Sequence, residues 1–463
     1  MRMPRLSLCA LGLLAFTPFA DAENLPPYDP SSFTEADFDA WYEQHKDAQP
    51  QFIDGAVLGE KDREQLDPFV PPGLAMADFY GVDITIKDAG DLSPPPAFVE
   101  ATRKFAGQAS IDDKGAIRNY TAGTPFDRAK FAAGSREDGY RAMWNYNFRW
   151  QHYGLKLDRN DWVWVERGGS HDTHEIMNDP IGKVAYGGGG TFNRVLTMQY
   201  QRINCMNLAM HAETGYRYPD SWCDGIEWRE VSDFKSPFDI SGTAFIIYRS
   251  VDPYKPDDAW AYIPSLRRVR RISAEVKSDS LLGTEDTLED FYGFAGRIVD
   301  WDWEYVGPKK ILAIARSRYA SPRYGGPNGI SQIDDWSVRE VDVVKGRPKS
   351  AGHPYSLKII MFDAQNNVSY YSEAYDRAGK IYKVWKIPAL WTDDPQATDV
   401  APKNAADATP PGTRMSGFQG IDVLNLQNGR ATLIPTRLGM SYPAMDLKQA
   451  KRALDLNRLT QGR

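Results

Sequence analysis

The sequence lacks an excess of basic residues. Of its 463 residues, 55 are Lys or Arg and 62 are Asp or Glu, which gives a net charge of −7. Dedicated nucleic-acid-binding proteins and polybasic membrane anchors carry a cationic surplus, so this balance argues against both classes. Hydrophobic residues make up 42% of the chain, which is enough to bury a large core and excludes global disorder.

Two widespread functional motifs are also missing. The sequence contains no Gly-x-Ser-x-Gly motif, so no serine has the turn expected of a hydrolase nucleophile. The glycine run at 187–190 lacks the Gly-Lys-Ser/Thr ending of a phosphate-binding loop. The sequence therefore predicts neither a catalytic residue nor a cofactor.

Long apolar runs are absent except at the N-terminus. Arg2 and Arg5 precede an apolar run from residue 6 to residue 20, and Ala20-Asp21-Ala22 fits the small-x-small cleavage pattern. The run is shorter than the roughly 20 residues that a membrane-spanning helix needs. We therefore expect residues 1–22 to form a signal peptide that is cleaved after Ala22 on export.

Two of the three cysteines, Cys205 and Cys223, follow this cleavage site and lie 18 positions apart. In an oxidising compartment, a disulfide bond between them is the expected state. Such a bond stabilises the fold by about 3 kcal/mol when it closes a loop of this length. Two free thiols, or a share in a metal site, are the alternatives.

Alternation with period two dominates the chain from about residue 141 onward. Tryptophans occupy alternate positions in the segments 161–166 and 300–305. Such alternation indicates antiparallel strands with one covered face. Helical spacing occurs mainly in the segments 34–45, 97–105 and 446–458. The pattern predicts an α+β fold in which helices cover a large antiparallel sheet and leave room for an apolar cavity.

Six aromatic residues, in three pairs at i and i+2, are the candidates for the wall of this cavity. The abundance of 13 Trp and 24 Tyr favours a wide, partly accessible apolar surface over a tightly packed aliphatic core. An ordinary sheet core and an exposed platform for sugars are the alternatives. The six residues are Trp162, Trp164, Trp260, Tyr262, Trp301 and Trp303.

Four arginines crowd into the five positions 267–271. On a strand, Arg268 and Arg270 point to one face, and Arg267 and Arg271 point to the other. We expect Arg268 and Arg270 to guard the mouth of the cavity or to bind an anionic head group through bidentate hydrogen bonds. Solvated side chains paired with nearby acids are the alternative.

His171, His174 and Glu175 form the most enzyme-like segment. Two histidines and an adjacent carboxylate are suited to a divalent metal, which suggests an exported metal-dependent hydrolase as an alternative function. However, the helical zinc motif has its histidines four positions apart with the Glu between them. Here they are three apart, and Glu175 follows both. A polar loop is the simpler interpretation, so no metal ligand is predicted.

The arginine-rich segment 260–272 also carries a resemblance to a known family, supported by the segments 119–126, 144–147, 279–290 and 375–380. Over about residues 119–391, the chain resembles an uncharacterised periplasmic LolA-like family, often labelled outer-membrane lipoprotein-sorting proteins. The resemblance implies an incomplete antiparallel β-barrel that is closed by helices around a hydrophobic cavity for acyl chains. It also implies two partners, an inner-membrane exporter of the resistance-nodulation-division (RND) type and an outer-membrane acceptor.

These observations divide the chain into a signal peptide (1–22), an N-terminal helical and loop region (23–118), a LolA-like incomplete barrel (119–395) and a linker with a C-terminal helical tail (396–463). The leading hypothesis is a non-enzymatic periplasmic carrier of lipid, of lipoprotein acyl chains or of another hydrophobic cargo. A tail of roughly 16 carbons needs on the order of 13 kcal/mol of shelter from water. An envelope module that binds glycans is a further alternative.

Reversible binding of such a cargo requires a movable lid. The segment Ser321–Gly329, which is rich in glycine and proline, and the N-terminal helix near Trp41 are the candidates for this lid.

Overall fold

The computed structural model describes residues 28–272, 277–392, 414–436, 440–441 and 447–457. The predicted signal peptide and the Pro/Ala/Thr-rich segment 401–413 lie outside these residues. No helix within the described ranges is both long enough and apolar enough to cross a membrane.

The described part of the chain contains seven α-helices, most of them short. The helices predicted near the two ends of the chain are confirmed. In the first, the carboxylate of Asp37 accepts a hydrogen bond from the backbone N–H of Thr34 (2.8 Å), which caps the helix. The helices are α1 (Glu35–His45), α2 (Arg63–Leu66), α3 (Pro72–Met76), α4 (Pro96–Lys104), α5 (Arg136–Asn147), α6 (Pro180–Ala185) and α7 (Leu447–Ala453).

Strands make up most of the remaining structure. They are β1 (Val57–Leu58), β2 (Ile84–Ile86), β3 (Ser110–Ile111), β4 (Ile117–Arg118), β5 (Gly154–Glu166), β6 (Thr191–Asn204), β7 (Ile226–Ser236), β8 (Ala244–Ser250), β9 (Asp258–Ile263), β10 (Arg268–Arg271), β11 (Trp301–Ala313), β12 (Tyr324–Gly325), β13 (Ser331–Gln332), β14 (Asp335–Pro348), β15 (Tyr355–Asp363), β16 (Ser369–Asp376), β17 (Ile381–Lys386), β18 (Ala389–Trp391), β19 (Ser416–Phe418), β20 (Gly420–Asn425), β21 (Arg430–Pro435) and β22 (Met440–Ser441).

One large sheet dominates the fold, in the order β11-β14-β15-β16-β17-β20-β21-β5-β6-β7-β8-β9-β10, and all neighbours in this order are antiparallel. The short strand β2 adds to β14 in parallel and carries β1. Among the described residues, β10 and β11 do not pair with each other, so the barrel is incomplete, as the family resemblance implies. Strands β20 and β21 lie in the middle of the sheet, which therefore continues past residue 395, where the sequence pattern places the tail.

Helix α5 shows that this sheet is strongly curved. At one point of the helix, the hydroxyl of Tyr140 donates to the carbonyl of Trp301 on β11, and at its end Asn147 donates to Glu227 on β7. Nine strand spacings separate β11 from β7, so in a flat sheet the two strands would lie about 43 Å apart. The part of α5 between Tyr140 and Asn147, however, is only about 10 Å long. The sheet therefore curves around α5, and the face that α5 contacts is the concave one.

A glycine permits the close approach of α5 to the sheet. A Cβ atom at Gly139 would lie 2.5 Å from the backbone nitrogen of Glu304 on β11. Real Cβ atoms do not approach other atoms so closely, so a larger residue at this position would push the helix away from the sheet.

The two faces of the sheet are covered by different parts of the chain. The concave face packs against α5 and against the segment 277–300. Most of the convex face packs against residues 33–92, which include α1 and α3. The part of the convex face that is formed by β6–β9 packs against Ala450 in α7 and against Leu454, which follows the helix. Both faces are apolar because both are covered, which explains why strand β5 carries valines and tryptophans on opposite sides.

The predicted disulfide bond between Cys205 and Cys223 is confirmed. Cys205 directly follows β6, and Cys223 ends a short turn before β7. Both residues are buried, so the bond fastens the long β6–β7 connection to the end of the sheet.

Candidate binding site inside the curved sheet

Residues 277–300, called here the inner segment, fill the hollow of the curved sheet. Within the described residues, the segment forms no β-ladder with the sheet, and much of it consists of short 3-10 turns. Tyr292 adopts a left-handed backbone conformation with φ of 62°, which is unusual for a bulky residue. Side chains therefore hold the segment in place, and its buried apolar members are Leu281, Leu288, Phe291, Tyr292, Phe294, Ile298 and Val299.

A buried ion pair fastens the inner segment to the sheet. Lys358 on β15 and Asp290 are both almost completely buried, and the Nζ atom of Lys358 lies 2.5 Å from Oδ1 of Asp290. The hydroxyls of Tyr355 and Thr287 both donate to Oδ2 of Asp290 at 2.7 Å. These contacts satisfy the carboxylate in surroundings from which water is excluded.

Side chains of α5 and β8 also hold the later part of the inner segment. The hydroxyl of Tyr146 on α5 lies 2.8 Å from the carbonyls of both Tyr292 and Phe294. Arg249 on β8 donates to the carbonyls of Ala295 and Gly296.

Arg249 also forms a bidentate ion pair with Asp257, with nitrogen–oxygen distances of 3.1 and 2.8 Å. Burial opposes ionisation of Asp257, but Arg249 and Lys277 lower the pKa of its carboxyl below the usual range. The contacts that hold the inner segment are therefore polar, whereas the concave face that the segment covers is apolar.

An apolar cavity of about 20 Å³ lies beneath the inner segment. Its apolar walls are formed by Leu157, Trp162, Met198, Phe291, Ile421 and Ile434. A row of aromatic rings leads to it from the end of the β7–β8 hairpin. Phe245 contacts Phe234, which contacts Trp162, and Trp162 contacts Phe291, with ring centres 5.9 to 6.3 Å apart.

Three buried polar atoms around this cavity have no hydrogen-bond partner among the described residues: Oδ2 of Asp286, Oδ1 of Asn160 and Nε1 of Trp162. Burial, together with the neighbouring carboxylate of Asp290, raises the pKa of Asp286 to about 7. Asp286 is therefore able to be neutral near physiological pH and to donate a hydrogen bond into an apolar space.

The raised pKa of Asp286 predicts a pH dependence of stability. Between pH 3.8 and about 7, the folded protein keeps a proton that the unfolded chain has released, so raising the pH destabilises the fold. The Asp286→Asn variant should lack this contribution, which is about 1.4 kcal/mol per pH unit within that window. Urea unfolding across the window is the measurement. Asp113→Asn, which changes an exposed carboxylate, is the control, and equal slopes in wild type and Asp286→Asn would contradict the prediction.

Two more cavities, of about 40 and 30 Å³, lie beside Arg149 and Arg202. The ring of Tyr292 lines both of them as well as the cavity beside Trp162. Arg202 donates twice to Oε2 of Glu230, at 2.9 and 2.6 Å, and its guanidinium carbon lies 4.7 Å from the centre of the Tyr292 ring. The Tyr292 ring therefore separates the apolar cavity beside Trp162 from the cavities beside the charged side chains of Arg149 and Arg202.

These cavities are far smaller than a pocket for a drug-sized ligand, which spans about 300–1,000 Å³. The sequence predicts a hollow that the side chains leave unfilled, whereas the inner segment fills most of it. The structure is thus closed, and none of these cavities has room for a ligand the size of a lipid tail.

A family model described as "Protein of unknown function (DUF1329)" matches residues 75–433. The chain belongs to this family. This membership confirms the resemblance to an uncharacterised family seen in the sequence. No curated protein matches the chain.

Three solved structures illustrate what this DUF1329 protein is similar to. An outer membrane lipoprotein-sorting protein domain from Vibrio parahaemolyticus is 16% identical, with a TM-score of 0.44 over 70% of this chain and 100% of that chain. A DUF1329 family protein from Desulfovibrio piger is 13% identical, with a TM-score of 0.36 over 65% and 92%. A LolA superfamily protein from Nitrosomonas europaea is 11% identical, with a TM-score of 0.34 over 65% and 92%.

The structure of this DUF1329 protein separates the six aromatic residues that the sequence groups together. Trp162 lines the apolar cavity, and Trp164 lies next to it on the same face, against Gly283. The other four lie elsewhere. Trp301 and Trp303 stack on each other at the β11 edge and pack against Phe294, whereas Trp260 and Tyr262 lie on the convex face in the cluster that contains Ala450 and Leu454.

Arg268 and Arg270 lie on the edge strand β10 and are exposed. Their partners in the strand register are Ile263 and Ala261, which places both arginines on the concave side. Neither residue lines the cavities described above.

His171 and His174 fasten a loop. The Nδ1 atom of His171 lies 2.9 Å from the carbonyl of Gly189, and its ring stacks on Phe192 with the ring centres 4.1 Å apart. His174 accepts a hydrogen bond from the backbone of Ile176, and Glu175 begins the turn that follows. The described residues contain no group of three or more His, Cys, Asp or Glu side chains that is arranged to hold a metal ion.

The two predicted lids lie outside the hollow. Tyr324, within the segment 321–329, belongs to the core of the convex face, and its hydroxyl donates to Asp422. Trp41 on α1 belongs to the same core. No pattern in the sequence identifies the residues that do cover the hollow, although the segment 279–290 is one of those that support the family resemblance.

Proposed function

We propose that this DUF1329 protein is a non-enzymatic periplasmic carrier that takes a lipid or another hydrophobic molecule into the space occupied by the inner segment. One observation carries the proposal. An apolar, aromatic concave face is covered by a segment that, among the described residues, forms no β-ladder with the sheet and is held to it by side-chain hydrogen bonds and ion pairs.

The energetics of exchange favour such an arrangement. Apolar surface contributes about 25 cal/mol for each Å² removed from water, whichever molecule covers it. A cargo tail that replaces the inner segment therefore restores the burial that the concave face loses. The inner segment protects this face when no cargo is bound, and its polar tethers form hydrogen bonds with water once they are released.

The partners belong to the same proposal. The resemblance seen in the sequence suggests that an inner-membrane exporter of the RND type delivers the cargo and that an outer-membrane acceptor receives it. Lipoprotein acyl chains are one cargo consistent with this route.

Photolabelling with a diazirine-bearing fatty acid tests the proposal on the full mature chain. If the cargo enters the hollow, label should appear on peptides of β5, β6 and the inner segment, and excess unlabelled fatty acid should suppress it. Residues 33–92, which cover most of the convex face, provide the internal control and should remain unlabelled. Native mass spectrometry of the protein, purified without detergent, should detect a bound hydrophobic molecule.

Labelling that does not saturate, or that is confined to the convex face, would refute the carrier. If the protein is instead an enzyme, it should turn over a substrate and should not retain a hydrophobic molecule.

A further inference from the structure

Two neighbouring hairpin turns at one end of the sheet expose apolar side chains to solvent. Phe238, in the turn between β7 and β8, is 96% exposed, and Leu266, in the turn between β9 and β10, is 44% exposed. The turns touch each other, because a Cβ atom at Gly242 would lie 3.3 Å from Pro264. We call this surface the hairpin tip. A phenylalanine this exposed has no role in the core of the protein.

Cations flank the hairpin tip. Arg267, Arg268 and Arg270 are exposed, and none of them forms an ion pair with a described residue. Arg271, which follows them on β10, differs because it forms an ion pair with Asp258. The one acidic residue next to Phe238 in sequence, Asp239, forms an ion pair with Arg194. The tip therefore carries a local positive charge on a chain whose net charge is −7.

An exposed aromatic residue beside unpaired arginines is complementary to one surface in particular. An anionic bilayer offers phosphate groups at the level of the arginines and an apolar layer just beneath them. Guanidinium groups form bidentate hydrogen bonds with phosphate, and the Phe238 ring is long enough to enter the boundary of the acyl chains.

We propose that the hairpin tip docks this protein on the surface of a membrane that contains anionic phospholipids. Phe238 and Leu266 enter the interface, and Arg267, Arg268 and Arg270 bind lipid phosphates. This orientation places the outer end of the aromatic row, Phe245 and Phe234, next to the bilayer. The docking itself does not depend on the proposed carrier function.

Vesicle flotation with the full mature chain tests the docking. Vesicles made of equal amounts of phosphatidylcholine and phosphatidylglycerol should carry the protein upward, and vesicles of phosphatidylcholine alone should carry far less. The triple variant Arg267→Gln/Arg268→Gln/Arg270→Gln should weaken binding on the order of a hundredfold, roughly fivefold for each arginine, and should abolish its dependence on salt. Phe238→Ser should weaken binding by about tenfold at every salt concentration.

Matched controls separate the tip from general effects of charge and hydrophobicity. Ile53→Ser removes another strongly exposed apolar side chain, and Lys61→Gln/Lys114→Gln/Lys130→Gln removes three exposed cations elsewhere. Both controls should bind vesicles as the wild type does. The proposal is overturned if the wild type does not float with anionic vesicles, or if the controls lose as much binding as the tip variants. Failure of the fatty-acid labelling with flotation intact would reject the carrier and keep the docking.

Discussion

Replacing Lys358 with methionine is expected to lower the free energy of unfolding by about 3–5 kcal/mol. The substitution keeps the apolar stem but leaves the carboxylate of Asp290 buried without its cation and close to Asp286. Two buried carboxyls that share one region cannot both ionise cheaply, so the loss should grow as the pH rises above neutrality. Urea unfolding monitored by tryptophan fluorescence measures the effect.

Two further variants show whether the effect arises from the ion pair. In Lys358→Met/Asp290→Asn, the neutral amide retains partners in Tyr355 and Thr287, so the double variant should recover most of the lost stability. Lys309→Met is the matched control. Lys309 is equally buried, but it donates to the backbone carbonyls of Pro68 and Lys310, so its removal leaves no charge behind. Equal losses in Lys309→Met and Lys358→Met would show that the ion pair is not the tether.

Replacing Tyr292 with alanine is expected to open the interior. The ring of Tyr292 lines three cavities, so its removal should join them into one space that accepts an apolar molecule. The loss of a buried aromatic ring costs about 3–5 kcal/mol. The variant should therefore be less stable and should bind the uncharged fluorophore N-phenyl-1-naphthylamine more strongly than the wild type does, as read from fluorescence titration.

Tyr370→Ala provides the matched control for the opening. Tyr370 is also a buried tyrosine, but it lies in the core of the convex face. The control should lose similar stability without gaining affinity for the fluorophore. If both variants bind the fluorophore equally, the gain reflects general loosening, and the space around Tyr292 is not a distinct binding region.

The alternation of residues along the chain was sufficient to predict the sheet. The tryptophans at 162 and 164, and those at 301 and 303, do lie at alternate positions of long antiparallel strands. The cysteine pair was predictable as well, since only two cysteines follow the predicted cleavage site. The helices at 34–45 and 97–105 followed from residues at helical spacing. All these signals are local, so neighbouring residues in the sequence are enough to reveal them.

The grouping of aromatic residues into one wall was not predictable in this way. Alternation shows that Trp260 and Tyr262 share a face, but it does not show which face is concave. That depends on how far the sheet curves and on which segment crosses each side. The buried ion pairs of the interior could not be predicted from the sequence either. Lys358 and Asp290, or Arg202 and Glu230, look like solvent-facing residues of ordinary strands and loops until the fold buries them together.

The sequence by itself determined a disulfide pair and a broad antiparallel sheet rich in aromatic residues, because composition and short-range periodicity encode these properties. Only the tertiary structure decided that the inner segment occupies the hollow and that Asp286 faces an apolar cavity. It also decided that Phe238 and three arginines meet at one tip of a chain that is acidic as a whole. These features depend on residues that are distant along the chain and become neighbours only when the sheet assembles and curves.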